Sequence, residues 1–285
     1  MLDFPLLFLE RLGEHDLAVL ASLDDVSSPP GELRRRMAED PESLETHIGD
    51  PRLFRILFDD HETEVLHVLS PSLAFAVLVH RTISDLESTS YVPEWVGAGE
   101  RLPVFDVITL REFISDRTRR YLVIDLLASF TRVASGSMWV STAKGYKRRR
   151  FSELDPVSLA EMVESLPLER RAVGYRRLGD VALFLTGVFP DHTSRHPISA
   201  MRREQLVRST GVEGDWVAGD EYLQFLEAVG RRWYDRAASA PFPPPEGGKT
   251  LHDLATNFIP ARRFLNYLAD TYLHHLPTGL MNPVG

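Results

Sequence analysis

The densest set of side chains that could bind a metal ion lies between residues 59 and 67, which read Asp-Asp-His-Glu-Thr-Glu-Val-Leu-His. On a helix, Asp60, Glu64 and His67 fall at positions i, i+4 and i+7, so their side chains share one face. Carboxylate and imidazole ligands at this spacing are typical of one helix's share of a metal site in a bundle core. A solvated acidic helix face would explain the same residues without a metal.

The remaining ligands of such a site would have to come from elsewhere in the chain. Residues 191–196 lie between Pro190 and Pro197, which predicts a loop, and binding residues are common in loops. We therefore take His192 and His196, with the three residues above, as candidate ligands of a divalent metal in a helical metal-dependent enzyme. Neither a His-Glu-x-x-His motif nor a second Glu-x-x-His accompanies them, and the catalytic residues stay unassigned.

A basic run between two aromatic residues is the candidate nucleic-acid site. Residues 146–151 read Tyr-Lys-Arg-Arg-Arg-Phe, and such a pattern can neutralise phosphates while rings stack on bases. The candidate binding residues are Lys147, Arg148, Arg149 and Arg150. The alternative is a basic ribbon that packs against the acidic first third of the chain or faces water.

Several cofactor and catalytic classes are excluded. The chain has no cysteine, which rules out disulfide frameworks, thiolate zinc sites, iron–sulfur clusters and cysteine nucleophiles. No Gly-x-Gly-x-x-Gly follows a predicted strand, and no Gly-x-Ser-x-Gly elbow is present. Residues 247–250, Gly-Gly-Lys-Thr, match only the end of a phosphate loop, because Pro243 stands where the first glycine is required. We therefore expect no nucleotide cofactor.

Most of the chain has the apolar periodicity of helices. Residues 137–141 and 146–151 flank Thr-Ala-Lys-Gly, which instead predicts a β-hairpin with Gly145 at its turn. Thr109 and Glu112 have the form of a capping box, which predicts a helix start at Thr109. Apolar spacing and start signals predict helices over 6–20, 52–69, 73–86, 110–133, 156–166, 175–188, 198–209, 221–238 and 250–276, the last interrupted at Pro260. We predict an all-α, multi-helix domain with one small embedded β-hairpin at about 137–151.

Charge and proline content divide the chain. Residues 1–105 hold 20 acidic and 8 basic residues (net −12), whereas 106–210 hold 12 and 18 (net +6), within a total of −9. A partner-binding face, or two segments that attract each other, would explain this polarity. Residues 241–249 are rich in proline and glycine, which predicts a linker. We therefore expect a mostly helical main domain over 1–240, that linker, and a C-terminal helical segment, 250–285, packing on the main domain.

The function hypotheses follow mainly from absences. No stretch reaches the roughly 20 apolar residues of a bilayer span, and the N-terminus lacks the basic residues of a secretory signal, so we expect a soluble cytoplasmic protein without membrane contact. With no complete catalytic or cofactor signature, the leading hypothesis is a non-catalytic regulatory or protein-interaction protein that binds a protein partner or itself. The alternatives are the metal-dependent enzyme and a nucleic-acid-associated protein using the basic hairpin. Residues 277–285 show no regular pattern.

Overall fold

The chain forms two compact units in a computed structural model. Unit 1 comprises Met1–Val92, Val104–Thr131 and Tyr267–Gly285, and unit 2 comprises Pro93–Pro103 and Arg132–Asn266. The structure describes residues 4–24, 29–59, 68–97, 99–131, 135–142, 145–210 and 221–275, with the backbone alone for 135–142, 145–151 and 221. The domain division predicted from the sequence, a main domain over 1–240, a linker and a C-terminal segment over 250–285, is not tested by these two units and stays a prediction.

Unit 1 is helical over its described residues. Its core centres on α6 (Pro71–Ser88), which packs against α8 (Arg117–Ser129). Phe75, Ala76 and Leu78 of α6 are completely buried. The elements are α1 (Phe4–Arg11), α2 (Glu14–Ala21), α3 (Pro30–Glu39), α4 (Pro41–Ile48), α5 (Pro51–Phe54), a π-helical turn (Arg55–Asp59), α6 (Pro71–Ser88), α7 (Val107–Ser115), α8 (Arg117–Ser129) and a 3₁₀ turn (Leu273–His275).

Unit 2 combines helices with two pairs of strands. Its core lies where two long helices pack together, α10 (Leu168–Gly187) and α13 (Glu221–Ala238). Gly179 of α10 and Gly230 of α13 let the two helix backbones approach closely. The elements are β1 (Val92–Gly97), β2 (Glu100–Val104), β3 (Ser135–Thr142), β4 (Gly145–Ser152), α9 (Pro156–Ser165), α10 (Leu168–Gly187), α11 (Pro190–Arg195), α12 (Ala200–Thr210), α13 (Glu221–Ala238), α14 (Gly248–Thr256) and α15 (Phe258–Thr271), of which α15 ends in unit 1.

Proline after a small polar residue marks several helix starts. Asp50 and Asp155 precede Pro51 and Pro156, and each carboxylate accepts a hydrogen bond from the backbone N–H two residues on, at 2.8 and 3.2 Å. The carboxylate satisfies an N–H that the helix leaves without a partner, while proline supplies a helical φ at the first position. Both starts agree with the sequence prediction.

Several local predictions were wrong. The helix predicted over 6–20 is divided into α1 and α2, and the helix predicted over 110–133 is divided at Asp116, which caps α8. The helix predicted to begin at Thr109 begins two residues earlier, because Asp106 is the cap and accepts hydrogen bonds from the Thr109 side chain and N–H. The C-terminal helix is interrupted at Asn257 rather than at Pro260. Pro260 lies in the first turn of α15, where a backbone N–H has no partner within the helix, so proline is tolerated there. Residues 190–195, expected as a loop, form the short helix α11, started by Pro190.

The predicted fold class is confirmed. The described chain is predominantly helical and contains the predicted hairpin as β3 and β4, paired antiparallel from Thr142 opposite Gly145 to Ser135 opposite Ser152. A second strand pair, β1 with β2, was not predicted. None of the helices in the described part of the chain has the length and apolar character needed to span a bilayer.

Candidate functional site

The unpredicted strand pair, β1–β2, is the candidate site of unit 2. Its strands are joined over two residues, and Gly99 adopts φ +81° in this turn, a conformation that residues with a β-carbon rarely take. Pro93 and Pro103 lie in β1 and β2. Proline cannot donate a ladder hydrogen bond, so both strands are suited to the edges of a sheet. A pair this small is marginal alone and depends on contacts with the helices of its unit.

The first anchor of β1–β2 is an ionic cluster on Glu94. Its Oε2 lies 3.0 Å from Arg263 Nε and its Oε1 lies 3.3 Å from Arg262 Nη2, both on α15. Arg262 Nε lies 3.3 Å from Glu227 of α13, and Arg262 Nη1 donates to Asn266 Oδ1 at 3.2 Å. The side chains of Arg262 and Arg263 are only 12% and 9% exposed, so their charges depend on these carboxylates for compensation.

Glu227 and Glu94 have unequal roles in this cluster. Burial raises the pKa of Glu227 above its ordinary value, and repulsion from Glu94 adds to the rise, although Arg262 and Arg231 act against it. Glu227 is thus a carboxylate for which ionisation inside the protein is costly. Glu94 contacts both arginines and is therefore the residue that ties β1 to α15.

The second anchor is Asp191 at the start of α11. Its Oδ1 accepts hydrogen bonds from Trp95 Nε1 at 2.9 Å and from the Gly99 N–H at 2.7 Å. Its Oδ2 accepts a hydrogen bond from Arg101 Nη2 at 3.0 Å. Burial alone would raise the pKa of Asp191, but these three donors outweigh it and hold the pKa below its usual value. One carboxylate thus fixes β1, the turn and β2 together.

The β1–β2 pair also exposes apolar residues. Trp95 is buried, whereas its neighbour Val96 is 42% exposed and Leu102 of β2 is 56% exposed. Pro103, which follows Leu102, is exposed as well. We call these three exposed residues, Val96, Leu102 and Pro103, the outer face of β1–β2.

Replacing Asp191 by asparagine is expected to lower the free energy of unfolding by about 2 kcal/mol at neutral pH, since one of the two accepting oxygens becomes an N–H₂ that faces a donor, and the negative charge beside Arg101 is lost. Because the pKa of Asp191 is depressed on folding, its contribution is complete above about pH 4 and is lost as the pH falls through the folded-state value. Urea unfolding measured from neutral pH to below about pH 4 should therefore show that the difference in free energy of unfolding between wild type and variant shrinks at low pH.

The matched control for Asp191→Asn is Glu204→Gln, which alters an ion pair in the same unit. The Glu204 side chain is 67% exposed. Exposed pairs contribute little, so this variant should unfold almost as the wild type does. An Asp191→Asn effect that did not depend on pH below 4 would show that the carboxylate charge is not what fixes the strands.

Two of the five proposed metal ligands, His192 and His196, lie in the described part of the chain. His192 and His196 stack on each other in and beside α11, with ring centroids 4.4 Å apart, and His196 Nδ1 lies 2.9 Å from the backbone oxygen of His192. Asp60, Glu64 and His67 lie outside the described residues. Among the described residues, no three histidine or acidic side chains are grouped closely enough to hold an ion, so the metal site stays a prediction.

The candidate nucleic-acid residues all lie on one strand. Lys147, Arg148, Arg149 and Arg150 occupy consecutive positions of β4, and the register pairs them with Val140, Trp139, Met138 and Ser137 of β3. β4 also contacts α9 within unit 2. Consecutive positions alternate between the two faces of the ribbon, so the basic run is divided into two pairs.

Unit 1 has charged clusters of its own. Glu45 of α4 lies 2.8 Å from Arg117 Nε and 3.1 Å from Arg120 Nη1.

Burial, with the charge of Arg120, lowers the pKa of His80 to about 4, so this imidazole is neutral at physiological pH. An open depression of about 430 Å³ is lined by Arg52, Arg55, Ile56 and Asp59, and Arg52 is already paired with Asp50 at 2.7 Å.

Sequence reasoning missed Glu94, Trp95 and the roles of Asp191, Arg262 and Arg263. A usable signal was present for the strands: residues 92–104 read as two short runs around Gly-Ala-Gly, and short runs separated by a glycine-containing turn indicate a hairpin. No signal was available for the anchors, because Glu94 and Arg262 are 168 positions apart.

Comparison with known proteins gives no relative from which a function could be transferred: no protein-family model, no curated protein and no solved structure matches the chain.

Proposed function

We propose that the protein is a non-catalytic interaction protein that self-associates through the outer face of β1–β2. The observation that carries this proposal is a pair of exposed apolar side chains, Val96 and Leu102, on strands held by two polar anchors. Exposed apolar side chains on a fixed surface favour protein contact, and a fixed surface loses little conformational entropy on binding. The soluble, cytoplasmic location expected from the sequence is part of the proposal.

Electrostatics favours a second copy of the chain as the occupant. The outer face itself contains no charged residue, and the nearby carboxylates of Glu94, Glu227 and Asp191 are paired with Arg101, Arg262 and Arg263. An uncharged face has little with which to select an acidic or basic partner. The same apolar residues of a second copy can meet it, as a twofold dimer contact requires.

The prolines favour contact through the face rather than through the strand edges. Proline on an edge strand discourages the addition of a further strand, and β1 and β2 each contain one, Pro93 and Pro103. Two copies would therefore meet through the exposed side chains of their outer faces rather than by adding a strand. A contact this small is expected to be weak, because stable interfaces usually bury about 1,200–2,000 Å².

The expected result is a concentration-dependent monomer–dimer equilibrium that the double substitution Val96→Ser/Leu102→Ser weakens by about tenfold or more. Burying a side chain of this size contributes roughly 1.5 kcal/mol, and about 1.4 kcal/mol corresponds to a factor of ten in affinity. Sedimentation equilibrium over the widest accessible concentration range, with native mass spectrometry, measures this directly.

The matched control is Leu168→Ser/Val173→Ser, which removes two apolar side chains of α10 that are each 54% exposed in the same unit. This control should dimerise as the wild type does. A wild type that is monomeric throughout, or a dimer equally weakened by both double variants, would overturn self-association through the outer face. Retained metal in the mass spectrum would instead support the enzyme hypothesis.

A further inference from the structure

The register of the β3–β4 ribbon divides its residues into two chemically different faces. Residues directly opposite each other in an antiparallel pair lie on the same face, and successive residues alternate between faces. One face carries Tyr146, Arg148 and Arg150 opposite Ser141, Trp139 and Ser137. The other carries Lys147, Arg149 and Phe151 opposite Val140, Met138 and Gly136.

We propose that the first of these, which we call the aromatic–arginine face, binds single-stranded nucleic acid. Arg148 is in register with Trp139, and Arg150 with Ser137, so two arginines, a tryptophan and a serine occupy positions on one face of the ribbon. Guanidinium groups neutralise phosphates and aromatic rings stack on bases, which is the combination that binds single strands without strong sequence preference.

The aromatic residues decide between a single strand and a duplex. A two-stranded ribbon can enter the major groove of a duplex, but there the base faces are already covered by their neighbours. Trp139 and Tyr146 are diagonal neighbours on the same face of the ribbon. Two aromatic residues on one face suit unstacked bases, which only a single strand supplies. Arg148 and Arg150 are about 6.7 Å apart along the strand, so each can meet a different phosphate.

The distribution of charge between the units supports a polyanionic ligand in unit 2. The segments of unit 1 contain 23 acidic and 11 basic residues, a net charge of −12, whereas those of unit 2 contain 18 acidic and 21 basic residues, a net charge of +3. The acidic character of the whole chain therefore belongs to unit 1. A net-acidic protein can bind nucleic acid when its basic residues are concentrated in this way.

The test is fluorescence anisotropy of a labelled single strand of about 20 nucleotides, as DNA and as RNA, titrated with the full chain over about 50–200 mM salt. Arg148→Gln/Arg150→Gln should make the slope of log affinity against log salt shallower by about 1.4, since each single-strand phosphate contact contributes about 0.7. Trp139→Leu should weaken binding roughly 5- to 150-fold with little change in that slope.

The matched control is Lys147→Gln/Arg149→Gln, which removes the same charge from the same strand but from the opposite face. It should leave the salt slope nearly unchanged. Trp139→Phe, which keeps an aromatic ring, should restore most of the affinity lost in Trp139→Leu, and circular dichroism of each variant establishes that it is folded. Undetectable binding of the wild type at low salt would overturn the proposal. So would equal losses in the two double variants, or tighter binding of duplex DNA or heparin that Trp139→Leu leaves unchanged.

Discussion

Replacing Glu94 by glutamine is expected to lower the free energy of unfolding by about 3 kcal/mol. The substitution keeps the size of the side chain but leaves Arg262 and Arg263, both almost buried, without the carboxylate that they share. Removing one partner from a buried charge cluster typically costs about 3–5 kcal/mol, because a buried charge loses compensation, although Arg262 keeps Glu227 at 3.3 Å. The partial exposure of Glu94, 19%, places the expected effect at the lower end.

Urea unfolding followed by circular dichroism measures the effect of Glu94→Gln, and hydrogen exchange of residues 93–103 shows whether β1–β2 opens locally. Two controls separate charge pairing from simple loss of a carboxylate. Glu227→Gln removes a carboxylate whose pKa is raised by burial, so it should cost less than about 1 kcal/mol. Glu100→Gln changes an exposed residue of β2 and should be neutral. Equal losses in Glu94→Gln and Glu227→Gln would contradict the special role of Glu94.

The second large effect is expected from a single methyl group at Gly230, where Gly230→Ala should lower the free energy of unfolding by about 2 kcal/mol. A β-carbon there would lie 2.7 Å from the Ala182 β-carbon and 2.7 Å from the Phe258 ring. All three residues are in the core of unit 2, where extra volume costs about 1–3 kcal/mol. This cost exceeds the roughly 1 kcal/mol that alanine gains over glycine in a helix.

Gly31→Ala is the control for Gly230→Ala, because it makes the same substitution in a helix where no atom lies within 4 Å of the new carbon. It should raise stability by up to about 1 kcal/mol, so the two alanine substitutions should have opposite signs. Thermal and urea unfolding of both variants measure the difference. If Gly230→Ala were as stable as the wild type, α10 and α13 would have to pack less closely than the structure shows.

Local chemistry made part of the fold predictable from sequence. Asp155 followed by Pro156 gives the start of α9 because the cap and the proline act within two residues, and α13 was predicted with its observed bounds, Glu221–Ala238. The β3–β4 hairpin was predictable because alternating residues flank a short turn. The strands of β1–β2 were missed because a proline in each weakens the strand pattern.

The candidate site was less predictable than the fold, because its determinants are distant in sequence. Asp191 contacts Trp95 across 96 positions, and no periodicity within a helix or strand reports a contact of that kind. Arg262 and Arg263 resembled the other arginine doublets of the chain. Only the folded backbone distinguishes the doublet that meets Glu94 from the others.

The order in which the two units can be completed during synthesis follows from how the chain is divided. Most of unit 2 is one continuous stretch, Arg132–Asn266, whereas unit 1 includes residues from Tyr267 onward. A ribosome therefore releases the last part of unit 1 only after all of unit 2 has been made, and domains tend to fold as they emerge. The N-terminal helices of unit 1 can contact its last segment only after nearly the whole chain has been made. Contacts between residues so distant in sequence slow folding. We expect a refolding intermediate in which unit 2 is protected from hydrogen exchange before unit 1.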